Sequence, residues 1–239
     1  MFHSVIFGTK NTWDDWHLYS ASRPVISMPA KKTNYVDIPG ADGSFDFSEV
    51  LTKYPLYDYR KGTLKFIVEN GYGDLDDRYS EIANYLHGRS MTMKLEDDPD
   101  WYYKGTFSIK AWTPTSIANR STIEIDYILE PYKYYKDEII QTVDSTSSSE
   151  WTTVNLKNIT DRQPVCPVFI TQGSENHITD IHLVNPELDI DLSVQLGQSI
   201  ATELIIPAFT LSNISGNNEL YLQFKGVGTI QFKYRNGEL

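Results

Sequence analysis

Residues 74–88 (DLDDRYSEIANYLHG) are the one stretch of this chain with a clear helical period, in a sequence that otherwise alternates like strands. Leu75, Tyr79, Ile82 and Leu86 fall at i, i+4, i+7 and i+11, the 3.6-residue stripe of a half-buried helix. Asp74 is placed to cap the free amides of the first turn, Asp76 and Asp77 suit the positive end of the dipole, and Gly88 can end the helix in the left-handed conformation. A lone amphipathic helix must bury its stripe against something, so the surrounding strands are expected to form a shell around it. Directly after it, residues 90–96 read as a strand, 97–100 as a tight turn and 101 onward as an aromatic strand.

The rest of the chain is patterned as β. Strands are expected at 2–7, 23–28, 35–38, 45–47, 63–69, 102–112 and 120–129, with a dense turn at 39–43. In the last of these, Ile123, Ile125, Tyr127 and Leu129 share one face while Thr122, Glu124 and Asp126 share the other, the mark of an antiparallel sheet with one side solvated. Between 12 and 16, Trp13 and Trp16 read as exposed indoles in a polar turn, and residues 50–61 form a tyrosine-rich connection with Tyr54, Tyr57 and Tyr59. A polar, serine-rich stretch at 145–150 marks a composition shift near a domain boundary, dividing the chain into 1–135 and 136–239. Beyond it only short strands are expected, at 152–156, 165–171, 177–184, 188–196, 199–207, 219–224 and 228–234, which together suggest a β-sandwich or jelly roll.

Several function classes find no support. The net charge is −11 with no basic patch, unlike a nucleic-acid binder, although an acidic surface could line a passage that DNA traverses without sticking. No apolar run approaches the ~20 residues of a membrane span, and the chain reads as soluble and without a secretion signal. The single cysteine, Cys166, sits in an apolar run and reads as a core thiol. A calcium loop counted from Asp74 fails, because its sixth and twelfth positions are Tyr79 and Tyr85 where glycine and glutamate are needed. His177 and His182, five apart in a strand, are expected on opposite faces. No HExxH, CxxC or GxSxG is present, so neither catalysis nor a cofactor or metal is expected.

The order of the remaining signals carries a resemblance. Phe7-Gly8 ends a short first strand. Ile38-Pro39-Gly40 is followed by Asp42-Gly43 and Phe45-Asp46-Phe47, and Leu95-Glu96-Asp97-Asp98-Pro99-Asp100 runs into Trp101-Tyr102-Tyr103-Lys104-Gly105. Near the end stand Gly216-Asn217-Asn218, Gly226-Val227-Gly228 and Tyr234-Arg235-Asn236-Gly237-Glu238-Leu239. With the lone helix, this order and spacing resemble the distal tail proteins of long-tailed bacteriophages.

The resemblance implies a mainly β protein: an N-terminal ring-forming β-sandwich with one helix and an extended hairpin, and a C-terminal galectin-like or jelly-roll β-sandwich. It further implies a non-enzymatic virion component, made in the bacterial host cytoplasm, that forms a ring of six at the tail tip or baseplate. The implied partners are the tail tube protein, the tail-tip or tail-associated lysin protein and a receptor-binding protein, with DNA passing through the channel unbound. A ring needs two different patches per subunit. Tyr54, Tyr57 and Tyr59, as an extended hairpin, and Trp13 and Trp16 are the candidate ring-interface residues. The alternative reading is a carbohydrate-binding β-sandwich module used for host-surface attachment.

Overall fold

The computed structural model describes residues 3–20, 22–40, 42–50, 52, 54–69, 71, 73–115, 120–156, 163–185, 190–195, 203–205 and 221–239. The chain divides into two compact units, Met1–Lys136 and Asp137–Glu238, and is mainly β, as expected.

The first unit runs β1 (Val5–Phe7), β2 (Lys10–Asn11), β3 (Leu18–Tyr19), β4 (Tyr35–Asp37), β5 (Ser44–Asp46), β6 (Arg60–Glu69), α1 (Leu75–Leu86), β7 (Arg89–Leu95), β8 (Asp98–Thr113), β9 (Arg120–Leu129) and β10 (Lys133–Tyr135). Its main sheet has the order β2-β1-β7-β8-β9-β6-β3, and β10 adds to β8. The alternation read in 63–69 and 120–129 is realised across the β6–β9 pair, where Leu64 lies opposite Ile125 and Phe66 opposite Ile123. Those four side chains are buried.

The helix forms where its signals place it. Asp74 accepts from the Asp76 and Asp77 amides at 2.8 and 3.2 Å, and Gly88 takes a φ of 73°. Ile82 and Leu86 are fully buried with Phe7, Phe66, Met93 and Phe107, while Leu75 and Tyr79 pack at the edge of the same core. Phe7 and Phe107 meet edge to face at 4.9 Å, and Tyr79 stacks on Trp112 at 5.0 Å. The turn between β7 and β8 is tighter than the sequence suggests. Leu95 pairs with Asp98, so the loop is Glu96-Asp97 alone and Asp98, Pro99 and Asp100 belong to the strand.

Trp16 is a correction. It is not an exposed indole but wholly buried, with Nε1 donating to Glu81 Oε1 at 3.2 Å and its ring edge to face with Tyr85 at 5.5 Å. The polar residues flanking it lie on a turn, which hid its inward direction. Residues 23–28 are likewise not a strand.

The second unit contains β11 (Ile139–Ser145), β12 (Thr152–Val154), β13 (Val168–Asn185), β14 (Ile190–Gln195), β15 (Glu203–Ile205) and β16 (Tyr221–Tyr234). Two pairs of expected strands are single long ones, β13 and β16. β11 pairs with the second half of β16 and β15 with the first half of β13, whereas β12 and β14 pair with the opposite halves. Register shifts in β13 at Gln172/His177 and Ile178/Asp180 mark the change of partners. Phe169, Ile181, Leu183, Leu222, Phe224 and Phe232 form the core of this unit.

The shift after Ile178 also corrects the histidine parity. Ile178 and Ile181, three apart, both point inward, so His177 and His182 lie on the same outer side. They stand opposite Val227 and Gln223, too far apart along the strand to share one ion. Cys166 is half-buried rather than a core thiol, and Gly216-Asn217-Asn218 lies outside the described residues.

Two substitutions test these packings. Trp16→Ala is expected to destabilise the first unit by about 3–5 kcal/mol, read by urea titration followed by circular dichroism. Gly226 has a φ of 125°, and an added Cβ would fall 2.1 Å from the His177 carbonyl oxygen. Gly226→Ala is therefore expected to cost at least about 2 kcal/mol of stability, with the loss confined to the second unit in hydrogen exchange.

Candidate functional site

The segment leaving β3 does not return directly to the sheet. Residues 30–32 run antiparallel to 56–58, with Lys32 N donating to Leu56 O and Asp58 N to Ala30 O, both at 2.8 Å, and a bridge between Lys31 and Tyr57. Further out, β4 pairs with β5, Tyr35 opposite Asp46 and Asp37 opposite Ser44. The turn at 39–43 closes this ladder, Gly40 and Gly43 supplying φ values of 86° and 82°. The result is a two-stranded arm. The extended hairpin is thus present, but its tip lies beyond the Asp37–Ser44 pair, and Tyr57 and Tyr59 belong to its returning limb.

Ionic and side-chain contacts hold the arm's register. Lys31 pairs with Glu49 at 2.5 Å, Asn34 N donates to Ser48 Oγ at 2.8 Å, and Ser48 N donates to Asp46 Oδ1 at 2.8 Å. A buried cation holds its root. Arg60 is 2% exposed; its Nε donates to Pro131 O at 2.8 Å and its Nη1 to Ser27 O at 3.2 Å, with the guanidinium 5.4 Å from the Tyr103 ring centroid. Burial lowers the Arg60 pKa, the cost of holding a charge in the core. Ser27 Oγ donates to Lys61 O at 2.9 Å, so Ser27 is tied to β6 as well.

The arm carries an unusual surface. Tyr35 is 60% exposed, Phe45 55% and Tyr59 58%, and Val25, Met28 and Phe47 are exposed too. Scattered exposed apolar residues are ordinary, but a run of them concentrated on one projecting ladder marks an interaction surface. Two-stranded ribbons are also marginal in isolation and leave edges able to pair. Tyr54 is half-buried, its pKa raised by desolvation, and Tyr57 packs edge to face on Tyr132 at 6.0 Å.

Of the other expected interface residues, Trp13 is half-buried, 5.8 Å from the His17 ring, and borders a depression of about 420 Å³ with Asp14, Lys94, Glu96 and Pro99. Trp16 is excluded from any surface by its burial. Among the described residues no group of three or more His, Cys, Asp or Glu side chains is arranged to hold a metal. Among the described residues no helix is long and apolar enough to cross a membrane.

In solved structures the whole chain superposes on the whole of one known protein, SPP1 Dit (gp 19.1), with a TM-score of 0.65 and 14% sequence identity. The chain shares the Dit fold. That protein is described as a paradigm of the hub adsorption apparatus in phages infecting Gram-positive bacteria. No family model and no curated protein matches the sequence. The match to Dit extends over 100% of both chains, so it covers both units and the arm between β3 and β6.

Sequence reasoning missed Val25, Met28, Tyr35 and Phe45 as surface residues and missed Arg60. The segments at 35–38 and 45–47 alternate like sheet strands, and alternation gives the faces of a strand without saying whether either face is covered. An arginine before an apolar run gave no sign of its burial.

Arg60→Met removes both backbone bonds at the root of the arm. Trypsin cleavage after Lys31 and Lys32 is expected to accelerate at least about tenfold, as two charge-assisted bonds are lost, with the remainder of the first unit still protected.

Proposed function

We propose that this chain is the hub subunit of a phage tail tip or baseplate, a structural and non-enzymatic virion protein. In this reading it forms a ring, six subunits around the channel, joining the tail tube protein to the tail-tip or lysin protein and anchoring a receptor-binding protein. The observation that carries it is the full-length Dit fold together with an arm whose apolar side chains are not covered within its own subunit.

The physics of the arm suits a ring. A closed ring is made by a heterologous contact, one patch of a subunit on a different patch of the next. The arm, with Tyr57 and Tyr59 on its returning limb and Tyr54 beside it, supplies one patch, and the depression beside Trp13 is a candidate for the other. Burying Val36 and Phe45, which stand opposite each other on one face of the β4–β5 ladder, together with Phe47 would stabilise the contact at roughly 25 cal/mol per Å² of apolar surface removed from water. The acidic balance of −11 fits a passage that repels DNA and lets it slide.

Light scattering over a concentration series is the test. The expected mass is about six or twelve times 27.4 kDa. Val36→Ser combined with Phe45→Ser, both at exposed positions on one face of the arm, is expected to return the protein to a monomer while leaving its melting temperature within a few degrees. A double variant that assembles like the parent would remove the arm from the interface.

A further inference from the structure

The geometry points to a carboxylate-binding site in the first unit, in the cleft between the last turns of α1 and strand β8, a reading independent of the hub assembly. The cleft arises where β7 begins. Arg89 is the first residue of β7 and pairs with Phe107, so β8 runs on past that point with no β7 residue beside it. Gly88 N still donates to Phe107 O at 2.8 Å. Two residues further along β8, Ile109 N is met by a side chain in place of a strand: His87 Nδ1 accepts from it at 3.1 Å. That bond sets the tautomer of the neutral imidazole. With Nδ1 accepting, the ring proton sits on Nε2, which is left as a donor.

The helix supplies the opposite wall. Tyr79, Ala83 and His87 recur every four residues and so lie along one side of it, with Asn84 beside them. Tyr79 is held by stacking on Trp112 at 5.0 Å. With Arg89 and Ile109 these residues border a depression of about 420 Å³, within the range of small-ligand sites.

The chemistry of the lining is one-sided. The chain has 32 acidic residues against 21 basic, yet none of the lining residues is acidic, and three of them carry N–H donors: the Arg89 guanidinium, His87 Nε2 and the Asn84 amide. Among the described residues Arg89 has no ion-pair partner. Its planar fork matches the two oxygens of a carboxylate. Tyr79, Ala83 and Ile109, each half-buried, add an apolar wall beside the donors. The ligand class that uses both parts is a carboxylate carried on an apolar group, as at the C-terminal residue of a peptide. Inorganic phosphate pairs with a guanidinium but leaves the apolar wall bare. The negative end of the α1 dipole favours the Arg89 cation at this place; its field fades within a turn and is weaker than two charge-assisted bonds to a bound carboxylate.

The test is a saturation-transfer NMR titration of the full chain with N-acetylphenylalanine, its carboxamide, the tripeptide Ala-Ala-Phe and inorganic phosphate as competitor. The free acid is expected to bind at least about tenfold more tightly than the carboxamide. Tighter binding of the tripeptide than of the acid assigns the ligand as a peptide end, and equal binding as a free acid; both support the site. Arg89→Gln, at an exposed position, should weaken the acid at least about tenfold, Arg89→Lys should restore only part of that loss because it keeps the charge without the fork, and Asn84→Ala should cost about threefold. All variants should keep the parent's circular dichroism and solution mass, which separates this site from the ring. No transfer to the acid, equal binding of acid and carboxamide, an unchanged affinity in Arg89→Gln, or displacement of the acid by phosphate at a concentration below the acid's own would overturn the proposal.

Discussion

The packing of one helix stripe into the hollow of one sheet sets what the rest of the first unit can do. Ile82 and Leu86 fill the space against Phe7, Met93 and Phe107, and Trp16 closes it from the side, with Glu81 accepting from its indole. Once that volume is full, no further large side chain can enter without overpacking. The outer face of β6, β8 and β9 is left to Lys65, Glu124, Lys110 and Asp126, which pair across the strands in water and add little to stability. The apolar residues of the arm therefore have no place inside their own subunit. Their exposure follows from a core completed elsewhere.

What could be read from the sequence follows from this division. The helix and its caps were legible because Asp74 and Gly88 act through their own backbone neighbours. The faces of β6 and β9 were legible because each strand has one side buried along its length. Trp16 was not, because its direction depends on the turn at 12–16 and on Glu81, 65 residues away. The strand Ile139–Ser145 has no counterpart among the expected strands, although Ile139, Gln141, Val143 and Ser145 alternate; the serine-rich stretch at 145–150 overlaps its end. Of the expected site residues, Tyr59 lies on the exposed arm and Tyr54 is half-buried beside it, but the apolar side chains nearer the tip carry more of the surface.

The second unit shows a different limit. Its two longest strands change partners midway, so stretches that look like separate short strands form continuous ladders. Nothing local announces this except glycines. Gly226, at a φ of 125° against the His177 carbonyl, occupies a spot where a Cβ would collide, and Gly228 follows at 144°. The same irregularity defeats the count of two along β13: one extra residue after Ile178 turns His182 to the outer face, beside Trp151. A parity argument holds only while a strand stays regular.

In the proposed ring, an arm of this kind would make the assembly firm although each pairwise contact is weak. A single arm buries few large side chains, and a pairwise contact of that size is weak once the entropy of association is subtracted. In a closed ring each subunit both gives and receives one arm, and the last contact forms within a complex already held on its other side. That contact escapes most of the association cost. The rigidity of the root then matters more than the area of the tip, because an arm that swings must be ordered again at every closure. Arg60, bonded to both Ser27 and Pro131 and packed over Tyr103, ties the outgoing limb at Ser27 to the start of β6. The desolvation cost of its buried charge, which lowers its pKa, is met only in part by the two carbonyls and the Tyr103 ring, all within the subunit.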